Sequence, residues 1–442
     1  MAPSVLRVAG VVVAATVALC LTAATAGAAP GRDPILAAAG DIACAPNTPR
    51  TPTACHYAET AAIVGAINPT AVALLGDNQY ESGFLPYYMR AFDPTWGVFR
   101  PRTFPVPGNH EYNRVGADGY YAYFGAAAGD PARGYYAYDL GSWHILALNS
   151  NCTYVPCAAG SAQEQWVRSE LAAHPRSCTM AYWHHSLFSS QGGDPRMRDI
   201  WRDLGAARVD VVLSGHNHNY ERFAGQDATG HLDPFTGPRE FVVGTGGRDL
   251  GAIRGAGRNS EIRQDKAFGV LALVLSRTGY AWSFDSEGGA FVDTGSTPCH
   301  DKVPPTIGLA NVRPGAFRAA ARGRFLAAAG TPTASGGAIL RFRLSEPASV
   351  TFTVQQASLG RRVGAMCVPA RRRPVGGLGC TFWVPLAGTT MRRLPGGHNR
   401  LVLSGRLGGR RLDAGRYRLL ATPTDRTQNV GVPAPIGFRI VR

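Results

Sequence analysis

The segment Ala71-Val72-Ala73-Leu74-Leu75 lies between Pro69 and Gly76, is wholly apolar, and runs straight into Gly76-Asp77-Asn78-Gln79-Tyr80. A short run with no polar interruption predicts a strand buried on both faces, and open α/β sheets carry their chemistry at the carboxyl ends of such strands. An acid and a phenol are thus delivered to one sheet edge. The arrangement recurs along the chain: residues 34–39 lead into Gly40-Asp41, and residues 104–107 into Gly108-Asn109-His110-Glu111. Residues 179–183 lead into His184-His185, and residues 209–213 into Gly215-His216-Asn217-His218. Helices are predicted over residues 58–67, 84–92, 161–173 and 197–204, with Ser161 and Glu164 spaced as a capping box. The tyrosine- and glycine-rich residues 112–139 read as a loop and hairpin over the site, and strands are predicted over residues 143–148, 240–243, 268–275 and 280–285.

The strand ends gather Asp41, Asp77, Tyr80, Asn109, His110, His184, His185, His216 and His218. Oxygen and imidazole donors without thiolate suit iron, zinc or manganese. A two-metal centre needs a carboxylate that bridges ions about 3.5–4 Å apart. His216 and His218 are two residues apart, so an extended backbone turns them to one face and each can serve one ion. The isolated histidines His56, His144, His174, His231, His300 and His398 read as ordinary packed or solvated residues.

In order and spacing these clusters resemble the calcineurin-like metallophosphoesterase superfamily. Its usual first motif is Gly-Asp-x-His, and this chain has Ala43 in the histidine position. Gly76-Asp77-x-x-Tyr80 resembles the signature of the purple acid phosphatase branch, in which a phenolate binds iron(III), and residues 215–222 are similar to that branch as well. The resemblance covers about residues 35–295. It implies a four-layer α/β/β/α sandwich with two metal ions: Asp41, Asp77, Tyr80 and His218 on the first, as Fe(III), and Asn109, His184 and His216 with Asp77 on the second, as Fe, Zn or Mn. It implies His184 over His185 as ligand, and His110 as a phosphate-binding group or proton donor to the leaving alkoxide. Branch members often carry a further histidine past the His184 motif. Residues 186–196 contain none, and Arg196 is the expected replacement.

The remaining features bear on compartment. Arg7, an apolar run over residues 8–21 and Ala26-Gly27-Ala28 have the pattern of a secretory signal, residues 1–29, and no other run is long enough to span a bilayer. Eight cysteines follow it, an even number in an exported chain, which favours bridges. Local pairing gives Cys44 with Cys55, Cys152 with Cys157 and Cys367 with Cys380, leaving Cys178 with Cys299. Charge divides the chain too: residues 303–442 hold 22 arginines against three acids, within a total net charge of +15. The arginines are scattered and not interleaved with aromatic residues, unlike single-strand nucleic-acid binders, which favours a plain arginine enrichment of an Ala/Gly/Arg-rich composition; the alternative is a patch for an anionic envelope polymer.

Prolines at Val303-Pro304-Pro305 mark a linker, and residues 339–344, 349–355, 400–404 and 416–422 alternate apolar and polar side chains as in a β-sandwich. The expectation is therefore a metallophosphoesterase catalytic domain over residues 30–302 and a small all-β, immunoglobulin-like domain over residues 303–442. The implied activity is hydrolysis of phosphate monoesters outside the cell. A phosphodiesterase or nucleotidase using the same centre is the enzymatic alternative, and an envelope-binding protein with a vestigial site is the non-enzymatic one.

Overall fold

Each apolar run that ends in a polar cluster forms a strand, and the computed structural model, which describes residues 32–175, 178–328, 336–372 and 379–442, sets these strands in two sheets. The expected leader over residues 1–29 lies outside the described residues. In chain order the first part builds β1 (Ile35–Ala39), α1 (Tyr57–Ile67), β2 (Ala71–Leu75), α2 (Leu85–Tyr87), β3 (Thr103–Val106), α3 (Asp118–Phe124), β4 (Tyr136–Leu140) and β5 (Trp143–Ala147). It continues with α4 (Ala162–Ala173), β6 (Cys178–His185), α5 (Arg198–Ala206), β7 (Val211–Gly215), β8 (Tyr220–Phe223) and β9 (Arg239–Val243). β10 (Ser260–Gln264), β11 (Gly269–Leu275), β12 (Gly279–Ser286) and β13 (Val292–Pro298) complete it.

One sheet has the order β13-β12-β11-β1-β2-β3, with β1, β2 and β3 parallel. The other has the order β10-β8-β9-β7-β6-β5-β4, with β5, β6, β7 and β9 parallel. Alternation along the second sheet divides its side chains between two cores. Trp143, Ile145, Met180, Tyr182, Val211 and Leu213 meet Leu36, Val72 and Leu273 of the first sheet in one buried cluster. Leu146, Ala181, Trp183 and Val212 face the other way, onto Val167 of α4 and Ile200, Trp201 and Leu204 of α5. α1 packs on the first sheet through β11 and β12, so helices enclose two mixed sheets laid face to face. This is an α/β architecture of two facing mixed sheets with helices outside, in line with the layers that the resemblance implies.

Two local expectations change. Residues 112–139 do run into a hairpin, β4 paired antiparallel with β5, but they are not otherwise a loop: α3 lies within them, and its Tyr120, Tyr123 and Phe124 are buried with Tyr88 and Phe92. The spacing of those rings gives a helical apolar face, which outweighs the glycines around it. Ser161 does cap α4, accepting the Glu164 N–H at 3.2 Å, but the Glu164 carboxylate accepts from Gly160 N–H and not from Ser161.

Beyond residue 306 the described chain is all strand. Ile307–Arg313, Ala338–Leu344, Gly397–Leu403 and Leu326–Ala327 form one sheet. Ala316–Arg318, Ala434–Val441, Gly415–Thr424, Ala348–Val363 and Met366–Pro369 form a second, which Gly379–Leu394 joins by pairing with Ala348–Val363. Leu340, Phe342 and Leu401 from the first and Val350, Phe352, Leu419 and Phe438 from the second share a core separate from the two above. Arg208 reaches across to the carbonyl of Thr427, and Asn429 donates to the carbonyl of Asp301 at 3.0 Å. Among the described residues no helix is long and apolar enough to cross a membrane.

All four expected disulfides are present: Cys44–Cys55, Cys152–Cys157, Cys178–Cys299 and Cys367–Cys380. Cys178 opens β6 and Cys299 follows β13, so this bridge joins the two sheets at the end opposite His184. It closes a 121-residue separation, against 5 residues for Cys152–Cys157. Loop-closure entropy then assigns about 5 kcal/mol to the long bridge and about 2 kcal/mol to the short one. Urea unfolding of the two double Cys→Ser variants should show the larger loss of stability for Cys178/Cys299.

Candidate metal centre

The parallel strands β1, β2, β3, β6 and β7 point their carboxyl ends to one edge of the paired sheets, and each ends in a residue that turns inward. Asp41, Asp77 and His216 take positive φ values of 60°, 49° and 67°. Non-glycine residues in this region cost on the order of 1–3 kcal/mol each, a strain that concentrates at functional sites. The β1–β2 ladder also continues past the strands. Ile42 N–H donates to Asp77 O at 2.9 Å, Ala43 N–H to Asn78 O at 3.1 Å, and Tyr80 N–H to Ala43 O at 2.8 Å. Asp41, Asp77 and Tyr80 are thereby held side by side, and the position of Ala43 is backed by the Gln79 side chain, which donates to Ala43 O.

Both carboxylates are buried, Asp41 at 0 % and Asp77 at 2 % exposure. One oxygen of each is fixed by backbone: His216 N–H donates to Asp41 Oδ2 and His110 N–H to Asp77 Oδ1, both at 2.8 Å. The other oxygen of each faces a shared space. The Tyr80 hydroxyl stands 2.9 Å from Asp41 Oδ1, 3.0 Å from Asp77 Oδ2 and 3.1 Å from His218 Nε2. At the same Asp77 Oδ2 stands His184 Nε2, 3.3 Å away, itself 3.1 Å from Asn109 Oδ1 and 3.2 Å from His216 Nδ1. Asp77 therefore sits between a Tyr80–Asp41–His218 group and an Asn109–His184–His216 group.

Tautomers follow from outer partners. A carbonyl only accepts, so His184 Nδ1, 2.8 Å from Leu75 O, carries a proton and leaves Nε2 for the centre. His218 Nδ1 bonds the Asp249 carboxylate, which likewise turns Nε2 toward Asp41, 3.1 Å away. His185 lies near His184 and His216, all three within ligand range of one another, but its Nδ1 bonds Ser150 Oγ at 2.8 Å. His110 Nδ1 donates to Glu81 O at 2.7 Å, and its Nε2 stands 3.8 Å from Asp77 on the partly exposed side.

The electrostatics are those of a cation site holding protons. Burial alone would raise the Asp77 carboxyl, yet the facing His184 and His110 imidazoles hold it below the usual carboxylate range. Burial opposes charge on His184 and His218, but Asp77 carries the first up to about 9, and Asp41 with Asp249 the second to about 10. His216 is pushed down to about 4 by burial and by the neighbouring His184. Burial, Asp41 and Asp77 push the Tyr80 phenol well up. Among the described residues no lysine or arginine bonds Asp41 or Asp77. Two buried acids with oxygen and imidazole donors around them, and no permanent side-chain cation to neutralise them, fit metal ions.

Four supporting residues carried no site role in the sequence reading. Glu111, inside the Gly108-Asn109-His110-Glu111 motif, is buried and accepts the N–H groups of Asp77, Asn78, Gln79 and Gly108. Burial and the Asp77 charge raise it to about 7. Asp249 and Ser150 orient His218 and His185 from loops with no motif of their own. Arg248 lies over the Tyr80 ring at 5.0 Å and pairs with Glu81 at 2.8 Å. Arg196, expected to meet phosphate, closes a two-pronged pair with Asp194.

Residues 36–220 match the family model described as calcineurin-like phosphoesterase. That segment is similar to this family. Similar proteins include purple acid phosphatase 22 of Arabidopsis thaliana, 34 % identical over 26 % of this chain and 28 % of its own length. Purple acid phosphatase 1 of Ipomoea batatas is 30 % identical over 41 % of each chain. Probable purple acid phosphatase 20 of Arabidopsis thaliana is 28 % identical over 44 % of this chain and 52 % of that protein. The matches span between about a quarter and about half of these relatives. Among solved structures, purple acid phosphatase PPD1 from yellow lupin aligns over 60 % of this chain and 54 % of its own, at 18 % identity and a TM-score of 0.48.

Gly108 sets how closely the Asn109 turn approaches Asp77. A Cβ there would fall 2.1 Å from Asp77 Oδ1 and 2.3 Å from its amide nitrogen, whereas one on Gly255 would meet nothing within 4 Å. Gly108→Ala should therefore displace the central carboxylate and sharply reduce bound metal in elemental analysis, with Gly255→Ala unchanged.

Proposed function

We propose that the chain is a dinuclear-metal phosphatase that hydrolyses phosphate monoesters. The observation that carries this reading is the convergence of six donors on a seventh, the buried Asp77 that faces both groups, all from five strand ends. Asp41, Asp77, Tyr80 and His218 would hold one ion, and Asn109, His184 and His216 with Asp77 the other. Iron(III) is the reading for the phenol side, with iron, zinc or manganese on the other. Such ions, when bound, supply Lewis acidity to the phosphoryl group and an activated water.

The protein's own groups bind and protonate. His110, tied through Nδ1 to Glu81 O, presents Nε2 at the partly exposed edge, where it can bond a phosphate oxygen or hand a proton to the leaving alkoxide. Two arginines compete for the phosphate charge. Arg196 is expected from the sequence and is held in a two-pronged pair by Asp194; Arg248, paired once with Glu81, lies over the Tyr80 ring itself. Replacing Arg248 by Ala should raise KM for a small phosphomonoester several-fold and Arg196→Ala should change it less than twofold; the reverse result would return the role to Arg196. His110→Ala should lower kcat by about 10²–10⁴-fold, the usual worth of a positioned proton donor.

The deciding experiment is expression with iron, followed by elemental analysis, a visible spectrum and assay on matched monoester and diester substrates. Two ions per chain, a charge-transfer band lost in Tyr80→Phe and preference for the monoester are the expected results. A colourless, zinc- or manganese-filled active enzyme would remove the iron assignment. Faster diester cleavage would replace the monoester reading with a phosphodiesterase. Metal without any phosphoester hydrolysis would leave a binding protein.

We also propose export directed by residues 1–29, a catalytic unit over residues 30–302 and an immunoglobulin-like unit over residues 303–442 whose arginines bind an anionic envelope polymer. Four disulfides support an oxidising compartment.

A further inference from the structure

We propose a second, separate metal site, formed by His144, Glu170 and His174, that takes a single zinc-type cation and clamps the end of α4 to β5. His144 is the second residue of β5, on the face that turns toward α4, while Trp143 and Ile145 enter the core between the sheets. Glu170 and His174 stand one helical turn apart at the C-terminal end of α4, so both project onto the same strand. The three residues each offer a ligand atom within 4.8 Å of the others.

The His144 side chain is only 3 % exposed, and its two nitrogens are treated very differently. Nδ1 bonds the Asp139 carboxylate at 2.8 Å, the outer-partner arrangement that fixes an imidazole for metal binding through Nε2. Nε2 is buried and has no hydrogen-bond partner; Glu170 Oε1 stands 3.4 Å away without hydrogen-bond alignment. A buried polar atom left unpaired is destabilising, and a cation shared with Glu170 removes the deficit. The third residue is adjacent: His174 Nδ1 lies 3.1 Å from the same Glu170 carboxylate oxygen and 3.1 Å from the Glu170 carbonyl, and its ring stacks on that of His144 at 4.7 Å, so the ring must turn to present a free nitrogen to the ion.

Two imidazoles and a carboxylate form a three-ligand set of the kind zinc accepts with its fourth position open to water. Tetrahedral zinc brings ligand atoms to roughly 3.3 Å of one another, so the widest separation must close by up to about 1.5 Å. His174 can supply that movement: its side chain is 45 % exposed, it caps the helix end, and it lines a cleft of about 900 Å³ through which an ion can enter. The site is remote from the strand-end centre. His144 pairs with Thr179 across β5 and β6, and His184 lies five residues further along β6, roughly 16 Å away at the rise of a strand.

The test is metal stoichiometry on the whole protein. Wild type, Glu170→Gln and His174→Ala are dialysed against buffered free zinc and analysed for bound metal, with Asp77→Asn in parallel to remove the strand-end centre. Wild type should bind one zinc more per chain than either Glu170→Gln or His174→Ala, and Asp77→Asn should retain that zinc. Zinc should raise the melting temperature of wild type by a few degrees more than that of His174→Ala, as expected for a ligand bound only by the folded state. Phosphoester turnover by His174→Ala should stay within twofold of wild type. Equal zinc content in wild type and both variants overturns the proposal. The Asp77→Asn arm reports on the strand-end centre independently, so failure of one site is not read as failure of the other.

Discussion

Two carboxylates buried a few ångströms apart set the terms for everything around them. Asp41 and Asp77 lie side by side at the ends of neighbouring parallel strands, with no permanent side-chain cation among the described residues bonded to either. Burying such charges uncompensated costs several kcal/mol each. The surrounding residues reduce that cost piecemeal: two backbone N–H groups, a phenol between the acids, and two imidazoles driven to hold protons by the carboxylates themselves. The same field, arranged in the same geometry, attracts metal ions. Charge balance at one sheet edge thus links the strained backbone of Asp41, Asp77 and His216 to the orientation of His184, His218 and Tyr80.

The fold makes this arrangement possible by hiding the strands from water on both sides. A parallel strand buried on both faces has no use for polar residues except at its ends. β2 illustrates this, with five buried apolar residues followed at once by Gly76 and Asp77. The two sheets then place those ends opposite one another. Glu111 completes the frame from beneath, gathering four N–H groups of the two turns that carry Asp77 and Asn109. The long disulfide between Cys178 and Cys299 ties the sheets at the other end of β6, away from the donors.

Much of the fold was legible because its signals are local. Unbroken apolar runs gave the central strands, period-two alternation gave several strands beyond residue 306, and the spacing of the cysteines suggested the pairs that form. The departures are equally physical. The glycines among residues 112–139 pointed to a loop, but rings at helical spacing found a core to enter and formed α3. His144 and His174 show no sign of a site in the sequence, because a lone histidine carries no pattern. Their proximity depends on a strand and a helix packing together.

By itself the sequence determined which donors exist and in what order they arrive, because a residue that follows a buried strand must emerge at that strand's end. It also carried the resemblance to calcineurin-like phosphoesterases, since the ordered set of motifs is specific where each alone is weak. Only the tertiary structure decided how the donors divide about Asp77, that Leu75 O and Asp249 turn His184 and His218 inward, and that Arg248 sits over Tyr80 while Arg196 is held by Asp194. Those relations join residues far apart in the chain. They arise from the approach of separate loops and sheets, and local pattern carries no record of that.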